Sequence, residues 1–242
     1  MTLCGLMILV ALCAQGGPPL RTDDPGTPGD GRVELNVAFT VEKFRHETTY
    51  EAPLLDFNYG VGDRIQLKVE APWLIRHDTP GPDASGLGTL LLGMKYRFLD
   101  QKDAEVDVSV YPQADFRMSA RSRRTDLVGE GFSLLLPLQV ARDFGFIEVN
   151  VELGYLAVEE EEDAWLWGVA LGRDVVHGVE LLAEIHGETA TGFDRGVLVW
   201  NVGARIRLGD LNTLLLSAGR GIRGESRSEP GLIGYLGLQF TF

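Results

Sequence analysis

The C-terminal stretch Leu232 to Phe242 places large apolar residues on alternate positions and stops on a phenylalanine. Leu236, Leu238, Phe240 and Phe242 share one face, while Tyr235, Gln239 and Thr241 share the other. Successive side chains of a strand point to opposite sides, so this segment has one greasy face and one polar face. That division suits a strand standing between hydrocarbon and a polar lumen.

The same period recurs along the chain. Val33 to Val41 alternates Val33, Leu35, Val37, Phe39 and Val41 with Glu34, Asn36 and Thr40. Leu55 to Val61, Ile65 to Trp73, Leu90 to Phe98, Val106 to Val110, Phe132 to Val140, Ile147 to Tyr155, Trp165 to Leu171, Val179 to Ile185, Leu198 to Leu208 and Leu214 to Ala218 follow the scheme. With the terminal segment they predict about twelve strands, several of them close to the ~9–11 residues that cross a bilayer at a tilt. Four prolines, Pro53, Pro72, Pro112 and Pro137, fall at or near strand positions. A missing donor is tolerated at an edge, an end or a bulge, and a bulge is expected at Pro137, inside its strand.

Connections alternate in length. Gly62-Asp63, Leu99 to Asp103, Arg142 to Gly145, Asp174 to Gly178 and Gly209 to Asn212 are short and turn-like. Between them lie Glu42 to Pro53, His77 to Gly86, Arg117 to Gly131, Val158 to Ala164, Glu188 to Gly196 and Arg220 to Gly231, longer and more polar. Short turns at one rim and long loops at the other predict an all-β, antiparallel up-and-down transmembrane barrel over residues 33–242, with the turns periplasmic. Tyr59, Trp73, Tyr96, Phe98, Phe146, Tyr155, Trp165, Trp167 and Phe242 near strand ends fit interfacial girdles. A soluble sandwich could bury such rings, but it explains neither the loop asymmetry nor the terminal Phe.

Composition narrows the function. Mean hydropathy is only +0.02 although 45% of residues are hydrophobic, and after residue 15 no apolar run approaches the ~20 residues of a spanning helix. Net charge is −13 and the basic residues form no single stripe, which argues against nucleic acid as a partner. Residues 1–16 have the apolar stretch and small residues of an export signal, without a basic start. Cleavage there removes Cys4 and Cys13, so the mature chain carries no thiol chemistry. Residues 17–32 form either a periplasmic leader or a small plug.

On this face assignment the polar side holds Glu34, Asp56, Glu70, Glu105, Asp107, Glu148, Glu152, Glu180 and Glu184 against Lys68, Lys95, Arg97, Arg205 and Arg207. Symmetric hairpins set Arg97 opposite Glu105, Lys95 opposite Asp107 and Glu180 opposite Arg205. The expected solute path runs past Glu70, Lys95, Arg97, Glu105, Asp107, Glu152, Glu184, His186, Asn201 and Arg205. About twelve strands lie between the filled eight-stranded barrel and the ~16–18 strands of open porins, which implies a narrow passage. The basic run Arg121 to Arg124 either folds inward or stays solvated, and the acidic run Glu159 to Asp163 is read as solvated, with no metal or cofactor assigned. A lipid hydrolase would need a nucleophile beside a base. His186, flanked by Glu184 and Glu188, is the one histidine projecting from a strand interior, and no serine adjoins it in sequence.

Several stretches resemble a known family. They are Pro18 to Pro25, Asn58 to Leu67, Gly86 to Gly88, Gly93 to Phe98, Tyr111 to Gln113, Leu136 to Leu138, Glu184 to His186 and Ser217 to Gly221. Through them the chain resembles the bacterial outer-membrane barrels grouped with the phenol meta-cleavage-pathway family. The resemblance implies an outer-membrane channel or transporter for small solutes, hydrophobic or aromatic ones among them. The partners to expect are outer-membrane lipid and lipopolysaccharide, the solute itself, and the barrel-assembly machinery acting on the strand that ends at Phe242. The alternative is a structural or lipid-modifying barrel with a hydrolase-like site around His186.

Overall fold

The computed structural model describes residues 17–129, 131–159, 161–193, 195–223 and 229–242. The expected export signal, with Cys4 and Cys13, lies outside the described residues. So does Glu160 of the acidic run.

Fourteen strand segments form one sheet. They are β1 (Val33–Lys43), β2 (Glu47–Val61), β3 (Ile65–Asp78), β4 (Ala84–Leu87), β5 (Leu90–Leu99), β6 (Asp107–Val110), β7 (Gln113–Phe116), β8 (Phe132–Asp143), β9 (Glu148–Val158), β10 (Ala164–Val176), β11 (Val179–Ala190), β12 (Gly196–Arg207), β13 (Asn212–Gly221) and β14 (Leu232–Thr241). β4 and β5 both pair with β3, and β6 and β7 both pair with β5 and β8, so each couple is one interrupted stave. Twelve antiparallel staves result. β1 pairs with both β2 and β14, and Val33 and Phe242 exchange backbone hydrogen bonds of 3.1 and 2.9 Å. The ring is therefore closed, as a strand structure in lipid requires.

Burial is inverted relative to a soluble protein. Phe57, Leu153 and Trp200 are 42%, 52% and 41% exposed, whereas Asn36, Ser109 and Gln139 are fully buried. The greasy rows face outward and the polar rows face in, as the alternation requires. Trp73, Tyr96, Trp165 and Trp167 stand on the outer wall, and Tyr155 meets Trp165 edge-on at 5.1 Å.

Several local expectations are corrected. Pro137 makes no bulge: Pro137 pairs with Gly154 in unbroken register, and the Tyr111 N–H donates to the Pro137 carbonyl at 3.1 Å. Its missing donor faces the break between β6 and β7, where Pro112 also sits. The register slips instead at Ala52-Pro53, between Glu51 and Leu54. The expected loop Glu42 to Pro53 is mostly strand, because β1 runs to Lys43 and β2 begins at Glu47. The turn at Leu99 to Asp103 holds a short helix, α1 (Gln101–Ala104), whose N-terminus is capped by the Asp100 carboxylate.

At the long-loop rim, residues 117–131 carry α2 (Ala120–Arg124), capped by Ser119. The loop leans over the mouth. Ser122 donates to the Leu87 carbonyl at 2.7 Å, Leu127 and Val128 are buried, and Arg76 from the inner face of β3 holds the carbonyls of Thr125 (3.1 Å) and Asp126. Gly86 leaves room for it, since a Cβ there would lie 2.8 Å from the Ser122 hydroxyl. Arg121 and Arg124 remain exposed.

Candidate functional site

The interior of the barrel concentrates buried charge, and part of the chain itself occupies it. Residues 17–28, ahead of β1, run inside the wall. Arg21 and Thr22 donate their backbone N–H groups to the Glu184 carboxylate at 2.9 and 2.8 Å, and Asp23 donates its own to Glu152 at 2.7 Å. Arg205 donates to the Pro18 carbonyl (3.1 Å), Ser217 to Pro19 (2.7 Å), and Lys95 to Asp24 (2.5 Å) and the Asp23 carboxylate (3.1 Å). The Arg21 guanidinium pairs with Glu42. Leu20 adds an apolar contact, packing with Ala170 and Leu182.

The wall is shaped for this segment. A Cβ at Gly168 would come within 2.2 Å of the Thr22 hydroxyl, and one at Gly60 within 1.9 Å of the Gly29 carbonyl. Glycine is what permits a backbone or ligand to approach a strand this closely. Residues 29–31 then cross the short-turn rim, where the Gly62 N–H donates to Asp30 at 2.8 Å. Gly17 lies beside Arg205 near the same rim.

Burial raises the Asp23 carboxyl above the usual range, against the pull of Lys95. Burial acts the same way on Asp24, but Lys95 and Arg205 together outweigh it and hold that carboxyl low. The two neighbours therefore differ: the Asp24 carboxylate lies 3.9 Å from Arg205 and gives Lys95 its backbone carbonyl, whereas Asp23 offers Lys95 its carboxylate and Glu152 its backbone N–H.

A second lattice fills the opposite wall. Asn36 donates to Asp56 at 3.0 Å, Asn58 to Asp56 at 2.9 Å, and Gln66 to Asn58 at 2.7 Å and to the Tyr111 hydroxyl at 3.3 Å. Lys68 bridges Asp56 (3.5 Å) and Glu70 (2.8 Å), and Lys95 lies 4.6 Å from the centre of the Tyr111 ring. Buried charges are sustained by partners of this kind.

Of the ten residues expected along the solute path, Glu70, Lys95, Glu152, Glu184, His186 and Asn201 are buried on the inner wall, and Arg205 is partly so. Arg97 stands at the short-turn rim, 3.3 Å from Asp100 and 3.8 Å from Asp107. Glu105 is the exception. It is exposed in the left-handed cap after α1 (φ 64°) and pairs with Arg142 at 3.3 Å, because the helix consumes residues the symmetric hairpin had assigned to strand. Accordingly Arg97 faces Ser109, and Lys95 reaches Asp23 rather than Asp107. Glu180 and Arg205 are cross-strand partners at 3.2 Å, as the pairing predicted.

His186 is buried with its Nε2 unpartnered. The Ser217 hydroxyl is given to Pro19 and accepts from Asn201 at 3.3 Å, so the two do not form a nucleophile–base pair. Ser217, Gly168 and the Arg21–Glu42 pair belong to the site and were missed. Glycines on inward positions of otherwise regular strands were the available signal.

No protein-family model matches the chain, and no curated protein matches it in sequence. Solved structures do. An outer membrane channel from Pseudomonas putida F1 superposes with a TM-score of 0.74 at 14% identity, over 90% of this chain and 98% of that one. The KdgM porin gives 0.62 at 8% identity over 86% and 99%, and the NanC porin 0.62 at 9% over 85% and 98%. The fold is that of bacterial outer-membrane β-barrels.

Proposed function

We propose that the chain is an outer-membrane channel for small solutes whose passage is occupied at rest by its own residues 17–28, acting as a plug. The observation that carries this reading is the polar, glycine-relieved inner wall that binds that segment through Glu152, Glu184, Arg205 and Ser217. Its polar contacts are mostly hydrogen bonds that water or a solute can replace, which suits a removable occupant better than a structural core. Glu70, Lys95, Glu152, Glu184, His186, Asn201 and Arg205 then line the passage once it is clear.

The resemblance to the meta-cleavage-pathway barrels supplies the finer solute class, hydrophobic or aromatic compounds. The Tyr111 and Tyr235 rings on the inner wall are compatible with it. On this reading residues 1–16 are removed at export and Phe242 ends the strand that the assembly machinery engages.

The test is electrical. In planar bilayers the full mature chain is expected to show low, intermittent conductance, and a variant lacking residues 17–28 a sustained one. Gly168→Val, which crowds Thr22, should shift the full-length chain the same way. A plug-less barrel that neither conducts nor passes solute into proteoliposomes overturns the channel reading. The hydrolase alternative requires lipid cleavage that is lost in His186→Ala.

A further inference from the structure

The long-loop rim carries a feature that a passage for solutes does not need. On the outer wall, where β7 ends and β8 begins, a cleft of about 580 Å³ is lined by Phe116, Met118 and Phe132 together with Arg117, Arg123 and Glu159. Phe116 and Phe132 are direct cross-strand partners, and they and Met118 are exposed, so the floor is an aromatic and thioether surface turned toward lipid. Above it stands the densest positive stretch of the chain. Residues 117–124 hold Arg117, Arg121, Arg123 and Arg124 and no acidic residue, in a protein of net charge −13.

The local fold buries Arg117 and leaves the arginines of α2 more accessible. Ser122 is buried against Leu87, which turns α2 so that Arg121 and Arg124 stay exposed while Arg123 lines the cleft. Arg123 is steadied by donating to the Arg117 carbonyl. The one acidic residue of the lining, Glu159, accepts the Phe132 N–H at 3.1 Å, so one of its oxygens is engaged by the wall itself. An apolar floor that continues the lipid-facing wall, topped by guanidinium groups, is complementary to an amphiphile with acyl chains and a phosphorylated head. Arginine binds phosphate in a planar, bidentate manner that lysine cannot reproduce.

We infer that this cleft is a binding site for a phosphorylated glycolipid of the outer leaflet, with its acyl chain on the Phe116–Phe132 pair and its phosphate on the arginines of α2. The inference rests on the barrel's placement in an outer membrane and not on solute passage.

It is tested by native mass spectrometry of the full-length barrel in non-ionic detergent, titrated with bisphosphorylated lipid A and with its dephosphorylated form. Phosphate removal is expected to weaken binding about tenfold, as is Arg121→Ala/Arg123→Ala/Arg124→Ala, by loss of charge-assisted contacts. Phe116→Ser/Phe132→Ser should weaken both lipids alike. Equal binding of the two lipids by the wild-type barrel overturns the proposal, and does so even if the triple variant fails to fold. Full affinity in a triple variant that still shows heat-modifiable migration overturns it as well. Complete competition by millimolar inorganic phosphate would make the cleft a free-anion site and equally refute the lipid. A barrel that binds the lipid yet never conducts counts against the channel reading alone.

Discussion

The two halves of the barrel wall are built differently. From β9 through β14 and on to β1, the staves are continuous, contain no proline, and keep register apart from one slip beside the turn at Asp174. From β2 through β8 two staves are broken, the register slips near Pro53 and near Phe98, and all four strand-associated prolines occur. Each half has its own occupant. The regular half supplies Glu152, Glu184, Arg205 and Ser217 to residues 17–28, with Lys95 reaching across. The irregular half supplies Arg76, Gly86 and Leu87 to the inward-leaning loop. Regular pairing gives a fixed docking face, and interrupted pairing lets the wall follow a loop, as bulges and breaks do elsewhere.

The comparison has consequences that can be measured. The largest concerns what the halves share: both should present lipid-facing walls. Leu153→Arg in β9 and Leu136→Arg in β8 should each cost about 2–4 kcal/mol of stability in bilayers, as charge near the midplane of a barrel wall does. Equilibrium unfolding from lipid vesicles reads this, and a negligible loss at Leu136 alone would mean that the irregular half does not face hydrocarbon. Next, Glu184→Ala strips the acceptor from two backbone amides of the docked segment. An unsatisfied buried donor costs about 1–3 kcal/mol, so the open fraction in bilayer recordings should rise roughly 5- to 150-fold. An unchanged open fraction would remove the regular half as the docking face.

Arg76→Ala frees the carbonyls of Thr125 and Asp126 and should loosen the loop without disturbing the docked segment. Faster proteolysis confined to residues 117–131, with conductance altered less than in Glu184→Ala, is the expected pattern. The smallest effect belongs to Pro137→Val, which supplies an N–H opposite Tyr111 and should add about 0.5–1.5 kcal/mol of stability. A loss there would indicate that the proline sets the curvature of the broken staves.

The twelve staves and the sidedness of each were legible in the sequence because an environment with oil on one side and water on the other writes a period of two into every crossing. Glu180 facing Arg205 was legible for the same reason, across a tight turn. Glu105 was not, because α1 interposes a helical turn that no symmetric hairpin anticipates. The extension of β2 back to Glu47 was hidden since Glu47 to Glu51 stands where both faces carry polar groups, and alternation then vanishes. The place of residues 17–28 depends on contacts such as Thr22 with Glu184, separated by 162 positions, which no local pattern records. Inward glycines such as Gly168 were the faint trace of it.

The course of residues 17–28 carries a last implication. They rise from the short-turn rim to Arg21 and come back to Arg205, so their entrance and exit lie at the same end of the cylinder. If the segment is the plug proposed above, this layout would let it be withdrawn like a hairpin from a lock, without parting any stave from its neighbour. Clearing the bore would then cost only the contacts of a dozen residues, while the sheet that holds the protein in its membrane stays whole.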